Sequence, residues 1–351
     1  MLLQILSLFA APTSVDAATF VIVDRAPVPG FEAQEPAASA LADALEVLVG
    51  ALIPPTTSAR FLAQTGNATT ASSKALFGDA QSEPQKFSVQ LSASGAVSAE
   101  TLDQANASGG SNSVPRRGIA ALPGLSLTMP GRSLSFLPPK IGFLDRDQSL
   151  FTLNFMTLSI GPVARNVSLG MTTFGVGFQT DFKPASDGKP YLFRWTGVQL
   201  SSGLQYSHLS ATFSTPFSQS TSGSGLNMSW EAQANVGAKS DIVSVPTTLT
   251  TGIRFLYLFH LYTGFGLDLN VGSTRMSGVT SGPITTLSGS TPVYTGTGVL
   301  DLAGDSKAPT FLTTRFILGS MLHLGPVKLF GQVAASNPKV GAMTLGLKVA
   351  I

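Results

Sequence analysis

Nine charged or imidazole-bearing residues interrupt stretches of the sequence that otherwise carry almost no charge. Each falls on the polar side of a segment in which apolar and polar residues alternate. If these segments enclose a lumen, the charged groups could form rings that select solutes, or they could pair across the lumen and fill it. The sequence leaves both roles open for Arg194, Glu231, Lys239, Arg254, Asp268, Arg315 and Lys328. The remaining two candidates for the lumen are His260 and His323.

Catalysis is not indicated by the residues that could support it. The three histidines, His208, His260 and His323, all fall in alternating segments. A lumenal hydrolase would need one of them beside a nucleophile, and no nucleophile motif accompanies them. The closely spaced glycines of "GVGFQ" and "GFGLDLNVG" lie inside strands and not between a strand and a helix, which is the wrong context for a dinucleotide. We predict no enzyme activity and no catalytic residue.

Metal ions, cofactors and nucleic acids are not expected as partners. The chain has no cysteine, so it offers neither a disulfide framework nor a thiolate metal site. No acidic cluster has calcium-loop spacing, and no histidine pair stands four residues apart on a helix. The net charge is only +2, and Arg116-Arg117 is the sole basic cluster, which argues against a nucleic-acid footprint.

The elements that must position these residues are long strands. In "LNMSWEAQANVGAK", from Leu226 to Lys239, apolar and polar side chains alternate strictly, and "FHLYTGFGLDLNVG" from Phe259 repeats the arrangement. Period-two alternation is typical of strands. These runs of about 13 residues exceed the ~5–6 usual in soluble sheets. In "MLHLGPVKLFGQVAAS" two such runs flank Gly325-Pro326, and Gly161-Pro162 has similar surroundings; both predict hairpins.

Composition favours a barrel with a polar interior. Only 11% of the residues are charged, against roughly 25% in typical soluble domains. No stretch approaches the ~20 apolar residues of a transmembrane helix. The polar faces consist largely of Gly, Ser, Asn, Gln and Thr, unlike the Lys- and Glu-rich exterior of most soluble proteins. We therefore expect the polar faces to be enclosed and the apolar faces to meet lipid.

The last residues, "KVGAMTLGLKVAI", alternate up to Ile351. Here the sequence resembles bacterial outer-membrane β-barrels, whose final strand ends the chain, although that family typically ends in an aromatic residue. The resemblance implies an all-β fold, an antiparallel transmembrane β-barrel with an even number of strands and both ends in the periplasm. We predict about 12 strands, within a range of roughly 10–14. It also implies location in the bacterial outer membrane, with the lipid bilayer, the barrel-assembly machinery and small-molecule solutes as partners.

The N-terminal third has a different pattern. Residues 1–17 resemble a signal peptide, without the usual basic start. Residues 18–120 are interpreted as a periplasmic or plug segment, with an amphipathic helix at 36–53, a flexible linker and one strand at 87–97. The barrel then covers 121–351. The helix could gate the lumen, as in outer-membrane fatty-acid transporters, to which the resemblance is architectural, or it could lie in the periplasm.

Two functions remain after these exclusions. The first is a passive channel or small-molecule transporter with a polar lumen. The second is a structural or adhesive surface barrel with a filled lumen, which would bind a partner through a Thr/Ser/Gly-rich outer loop at 276–310. An open lumen would favour the first function, and a filled lumen would favour the second.

Overall fold

The computed structural model describes residues 19–52, 55–74, 86–99, 118–136, 138–141, 144–163, 167–183, 193–301, 306–337 and 339–350. At the N-terminus, strand β1 (Thr19–Pro27) is followed by helices α1 (Glu35–Leu52) and α2 (Pro55–Lys74). Fifteen further strands follow: β2 (Ser88–Ser98), β3 (Gly118–Pro130), β4 (Lys140–Ile141), β5 (Leu144–Asp145), β6 (Ser149–Val163), β7 (Val167–Lys183), β8 (Phe193–Gly223), β9 (Leu226–Phe255), β10 (Phe259–Ser277), β11 (Val279–Ser288), β12 (Thr291–Asp301), β13 (Ser306–Lys307), β14 (Leu312–Leu324), β15 (Val327–Asn337) and β16 (Val340–Ala350).

Ten of these strands form a closed antiparallel barrel. Their order around the ring is β9-β8-β7-β6-β3-β2-β16-β15-β14-β10, and pairing of β10 with β9 closes it. This confirms the predicted fold class, with a strand number at the lower limit of the expected range. The number is below twelve because β8 and β9 contain 31 and 30 residues, so they use chain length that shorter strands would have divided into further hairpins.

The two ends of the barrel differ. At the end that we call the C-terminal end, Ala350 pairs with Ser88, and tight turns join β9 to β10 and β14 to β15. At the opposite end, β8 and β9 continue beyond the ring, and β11, β12 and β1 add to them in that order. We call this sheet, together with α1, the extension, and we call its side of the barrel the extended end.

The extension has its own hydrophobic core beneath α1. Leu41, Leu45 and Val49 of the helix pack against Trp230 and its neighbours in the sheet. The prediction of a loop at 276–310 is wrong for most of this range. Residues 279–301 instead form the hairpin β11–β12, which turns at Gly289 (φ 63°). The hairpin forms because the apolar residues that alternate within this Thr-rich stretch can be buried under α1; they include Ile284, Val293 and Leu300.

The two Gly-Pro pairs have different roles. Gly325-Pro326 is the predicted hairpin turn, with Leu324 paired to Val327 and Gly325 at φ 67°, a conformation that favours glycine. Gly161-Pro162 instead lies within β6, where the register shifts between Ile160 and Val163. The prediction of a turn at this pair is therefore wrong, and residues 164–166 between β6 and β7 lie outside the described part of the chain.

The N-terminal elements match the sequence analysis in part. The helix predicted at 36–53 is α1, and the strand predicted at 87–97 is β2, which shows that barrel strands begin well before residue 121. Helix α2 was not predicted, because its Ala/Ser/Thr/Asn composition was interpreted as a linker. Residues 1–17 and the low-complexity run at 106–113 lie outside the described residues. Neither helix in the described part of the chain is long and apolar enough to cross a membrane.

Candidate functional site

Every second residue of each barrel strand points inward, and most of these residues are polar, apart from an apolar patch that includes Leu122, Met171 and Leu209. The small uncharged polar side chains of this inner wall are almost completely buried, as the sequence pattern predicts for an enclosed polar face. They come from strands all around the ring and include Ser92, Ser94, Ser126, Thr128, Asn154, Thr173, Gln205, Ser207, Ser240, Ser244, Thr248, Thr250, Asn270, Thr274, Gln332 and Thr344.

Helix α2 lies inside this polar lumen. Every residue from Gln64 to Lys74 is buried, on all sides of the helix. The side chains in this stretch are mostly small, so the helix can fit inside a ring of ten strands. Proline is well tolerated in the first turn of a helix, and Pro55 is the first residue of α2. The hydroxyls of Thr69 and Thr70 donate to backbone oxygens one turn back, at 2.9 and 2.8 Å, which satisfies them away from water.

The wall holds α2 at the extended end through close contacts. The Ser98 hydroxyl donates to Gln64 Oε1, and the Thr310 backbone N–H donates to Asn67 Oδ1 at 2.8 Å. A Cβ added to Gly118 would lie 2.1 Å from the backbone carbon of Gln64. Glycine is therefore required where β3 passes the helix.

Further contacts hold the helix at mid-barrel. The Ser72 hydroxyl donates to the Ser94 carbonyl at 2.9 Å, and Gln205 Nε2 donates to the Ser73 carbonyl at 2.7 Å. These two contacts come from β2 and β8. The helix is therefore fixed by several strands and not by one side of the wall.

A buried ionic triad lies at the last residue of α2. Lys74 Nζ is 3.1 Å from Asp268 Oδ2, and Arg315 Nη2 is 3.4 Å from Asp268 Oδ1. The Lys74, Arg315 and Asp268 side chains are only 2%, 5% and 1% exposed. Arg315 also donates to Thr248 Oγ1 at 3.0 Å. A positive charge is favoured at a helix C-terminus, and removing one partner of a buried ion pair costs about 3–5 kcal/mol. The triad therefore fixes the end of α2 in the lumen.

Basic side chains line the other half of the lumen, toward the C-terminal end. Strand register places Arg194, Arg254 and His260 side by side on β8, β9 and β10. It also places His323, Lys328 and Lys348 side by side on β14, β15 and β16. The rings of His260 and His323, which join the two groups, are 6.2 Å apart. We call these six residues the basic row.

Seven of the nine candidate residues lie on the inner face. Asp268 and Arg315 meet at the triad, and Arg194, Arg254, His260, His323 and Lys328 belong to the basic row. Glu231 and Lys239 differ from the expectation, because they are exposed and lie outside the lumen. Both stand on the polar face of β9 in or beside the extension, where the buried face is the apolar one.

Sequence reasoning missed two charged residues that face the lumen, Lys74 and Lys348. Lys348 alternates with Leu347 and Val349 in the final strand, so its inward direction could have been read from the period of two. Lys74 gave no such signal, because its position depends on α2 entering the barrel. The third histidine, His208, lies on the outer face, where its Nδ1 is 2.7 Å from Asp241 Oδ1.

The extension has a separate polar contact between β1 and α1. Arg25 contacts Asp43 at 2.8 Å and Glu46 at 2.5 Å, and Glu46 also accepts the Ile22 backbone N–H at 2.8 Å. The hydrogen bond to Asp43, followed by that to Glu46, raises the pKa of Arg25 against the opposing effect of its burial. Arg25 therefore stays charged and connects the edge strand to the helix. Within the described residues, no group of three His, Asp or Glu side chains could hold a metal ion.

Comparison with known proteins gives one family and several remote structural similarities. No curated protein matches the chain significantly. The transport unit of the autotransporter AIDA-I from Escherichia coli is 8% identical with a TM-score of 0.31, covering 82% of this chain and 98% of that one. The outer-membrane protease OmpT from Escherichia coli is 11% identical with a TM-score of 0.35, covering 78% and 99%. The toluene transporter TbuX from Ralstonia pickettii is 7% identical with a TM-score of 0.25, covering 84% and 96%.

Similarity at this level identifies no activity that could be assigned to this chain. The family model described as Lsa36-like, in contrast, matches residues 32–351. That range includes both helices and all ten strands of the barrel. The chain therefore belongs to the Lsa36-like family.

Proposed function

We propose that this protein is an outer-membrane barrel whose lumen is filled by α2 and which anchors the extension at the cell surface, in a structural or adhesive role. The observation that carries the proposal is the burial of α2 on all sides from Gln64 to Lys74. A helix that donates and accepts hydrogen bonds around its circumference occupies the space that a solute would need. This favours the filled-lumen function over passive transport.

The outer surface supports placement in a membrane. Each strand of the ring exposes at least one large apolar side chain, which soluble proteins seldom do over so wide a surface. On β9, the outward apolar residues lie within 243–253, which matches the ~9–11 residues that a barrel strand needs to cross a bilayer. The exposed residues, one from each strand, include Leu91, Ile119, Phe155, Phe174, Leu204, Leu249, Phe265, Phe316, Val333 and Leu345.

The two ends of the barrel support the orientation. Barrels of this class have short periplasmic turns and longer extracellular loops. The tight turns at 256–258 and 325–326 lie at the C-terminal end, where residues 131–148 also join β3 to β6, whereas the extension, the largest addition to the ring, lies at the other end. We therefore assign the extended end to the cell exterior. There, the sheet face opposite α1 is available to a partner, in place of the outer loop expected at 276–310.

Conductance in a planar bilayer tests the filled lumen. The wild-type protein, checked for folding by its change in electrophoretic mobility on boiling, should give no stable channel steps. Asp268→Asn should give frequent openings, because it removes the anion that holds both Lys74 and Arg315. These openings should favour anions, since the basic row would then line the pathway. Asp241→Asn makes the same chemical change outside the lumen, so this control should stay closed.

A transport function would give a different result. Stable, uniform channel steps from the folded wild-type protein would show that α2 does not block the lumen and would refute the filled-barrel proposal. Openings in Asp241→Asn equal to those in Asp268→Asn would show that the triad has no special part in closure.

A further inference from the structure

The path of the chain relates the two ends of the barrel. Residues 19–52, which we call the N-terminal module, form β1 and α1 in the extension. Helix α2 then runs from contacts at the extended end, at Gln64, to mid-lumen, at Lys74. The next strand, β2, begins with Ser88 at the C-terminal end. The described residues therefore place the N-terminal module at one end of the barrel, α2 inside it, and the first residue of the first barrel strand at the other end.

Among the described residues, the core partners of the N-terminal module lie at the extended end. Its apolar residues Phe20, Ile22, Leu41 and Leu45 are buried with strand residues of the extension such as Trp230. A segment this short does not bury enough surface to fold by itself, and an isolated helix of this length is marginal in water. The module should therefore remain unfolded until it reaches the extension, where burial of these side chains holds it.

The lumen and the module also have opposite charges. The module contains one basic residue, Arg25, against the five acidic residues Asp24, Glu32, Glu35, Asp43 and Glu46, which gives 1 − 5 = −4. The lumen on the C-terminal side contains the four cations of the basic row and its two histidines, against the inward carboxylate of Asp181, which accepts a hydrogen bond from Gln199, so its charge is positive on balance. A cationic opening concentrates an acidic chain and speeds its entry.

We propose that the barrel exports its own N-terminal module, an acidic unfolded polypeptide, through the lumen from the C-terminal end to the extended end. The basic row receives the module. Folding onto the extension then holds it outside, and α2 remains in the lumen as the trailing segment. The inference rests on the membrane placement and orientation proposed above. It does not require that the lumen be closed to ions afterwards.

Export of the module can be followed by labelling single introduced cysteines, because the sequence contains no cysteine. Val47→Cys reports the module, Ser224→Cys reports the tip of the β8–β9 hairpin, and Phe136→Cys reports the C-terminal end; all three positions are exposed. A membrane-impermeant maleimide is added to intact cells at intervals after a pulse of synthesis. Export predicts that Ser224→Cys is labelled first and Val47→Cys later, whereas Phe136→Cys reacts only after lysis.

The basic row can be tested in the same assay. Lys328→Glu with Lys348→Glu should slow labelling of Val47→Cys by about tenfold and leave the timing at Ser224→Cys unchanged. Lys239→Glu, a single reversal of the same kind outside the lumen, should slow neither, and Lys328→Glu alone is the variant that matches it in charge change. If the double variant does not form a barrel whose mobility changes on boiling, export is tested with the wild-type basic row alone. The test is then the delay between labelling of Ser224→Cys and labelling of Val47→Cys.

Two labelling patterns would overturn the export step itself. Simultaneous labelling of Val47→Cys and Ser224→Cys would mean that the barrel closes around a module already in place. Labelling of Val47→Cys only together with Phe136→Cys would place the module on the C-terminal side. If the wild-type lumen conducts ions in the bilayer test, and Val47→Cys is still labelled later than Ser224→Cys, the filled lumen is refuted but export is not. Equal labelling of all three positions before and after lysis would reject the membrane placement itself.

Discussion

Apolar and polar residues alternate along β9, but the apolar residues face inward in one half of the strand and outward in the other. In the extension half, Leu226, Met228 and Trp230 are buried, while Glu231 and Gln233 are exposed. In the barrel half, the same inner side of the strand carries buried polar residues, among them Ser240, Ser244, Thr248 and Thr250. The outer side there carries apolar residues, among them Val243, Val245, Leu249 and Ile253. The inner face thus changes from apolar to polar along one continuous strand.

This difference shows that the environment beyond the sheet determines which chemistry each face needs. Helix α1 covers the inner face of the extension, so that face needs apolar residues and its outer face meets water. In the barrel, α2 and the polar wall meet inside, and the outer face meets hydrocarbon. The reversal near Lys239 to Asp241 therefore marks where the outer surface passes from water to lipid.

The largest effect that would sharpen this comparison is expected at the core of the extension. Trp230→Ala should lower the stability of the extension by about 3–5 kcal/mol, because it empties a large, fully buried site. Limited proteolysis should then remove the extension, while the barrel keeps its mobility change on boiling. Glu231→Ala, one residue away on the exposed face, should stay within about 0.5 kcal/mol of wild type. Simultaneous loss of barrel and extension in Trp230→Ala would show that the two regions do not have separate cores.

An intermediate effect is expected from one charge placed on the outer face of each half. Leu249→Lys should destabilise the barrel by about 2–4 kcal/mol, since it places an ammonium group against hydrocarbon. Gln233→Lys, on the same side of the same strand, should change stability by less than about 0.5 kcal/mol in water. Urea unfolding in lipid vesicles measures both. Equal effects at the two positions would contradict the reversal of environment.

The smallest effect is expected at the polar contact that joins β1 to α1. Arg25→Met should cost about 1 kcal/mol or less, because the ion pairs with Asp43 and Glu46 are partly exposed to solvent. Hydrogen exchange of the β1 amides should increase, and exchange in the barrel should not change. High salt should reduce the difference between Arg25→Met and the wild-type protein. Faster exchange in the barrel half of β9 or in β10 would mean that the edge strand supports the barrel as well.

The strands and the inward residues of the barrel could be predicted because a period of two is a local property. Asp268, Arg315 and Lys328 were placed on polar faces by counting alternate residues, and the tight turn at Gly325 followed from residue chemistry. Helix α2 could not be recognised in this way. Its stretch from Gln64 to Lys74 lacks the stripe of large apolar residues that identifies a helix packed on a core, because most of its surroundings are polar and only the small Ala68 and Ala71 meet an apolar patch of the wall.

By itself, the sequence determined the all-β class, the two-faced strands, helix α1 and the residues able to face a lumen. Only the tertiary structure decided which face of β9 is buried in each half, that 279–301 joins a sheet, and that Lys74 meets Asp268 inside the barrel. The physical reason is that alternation specifies that two faces differ. Whether water, hydrocarbon or another part of the chain lies against each face depends on contacts between residues far apart in the sequence.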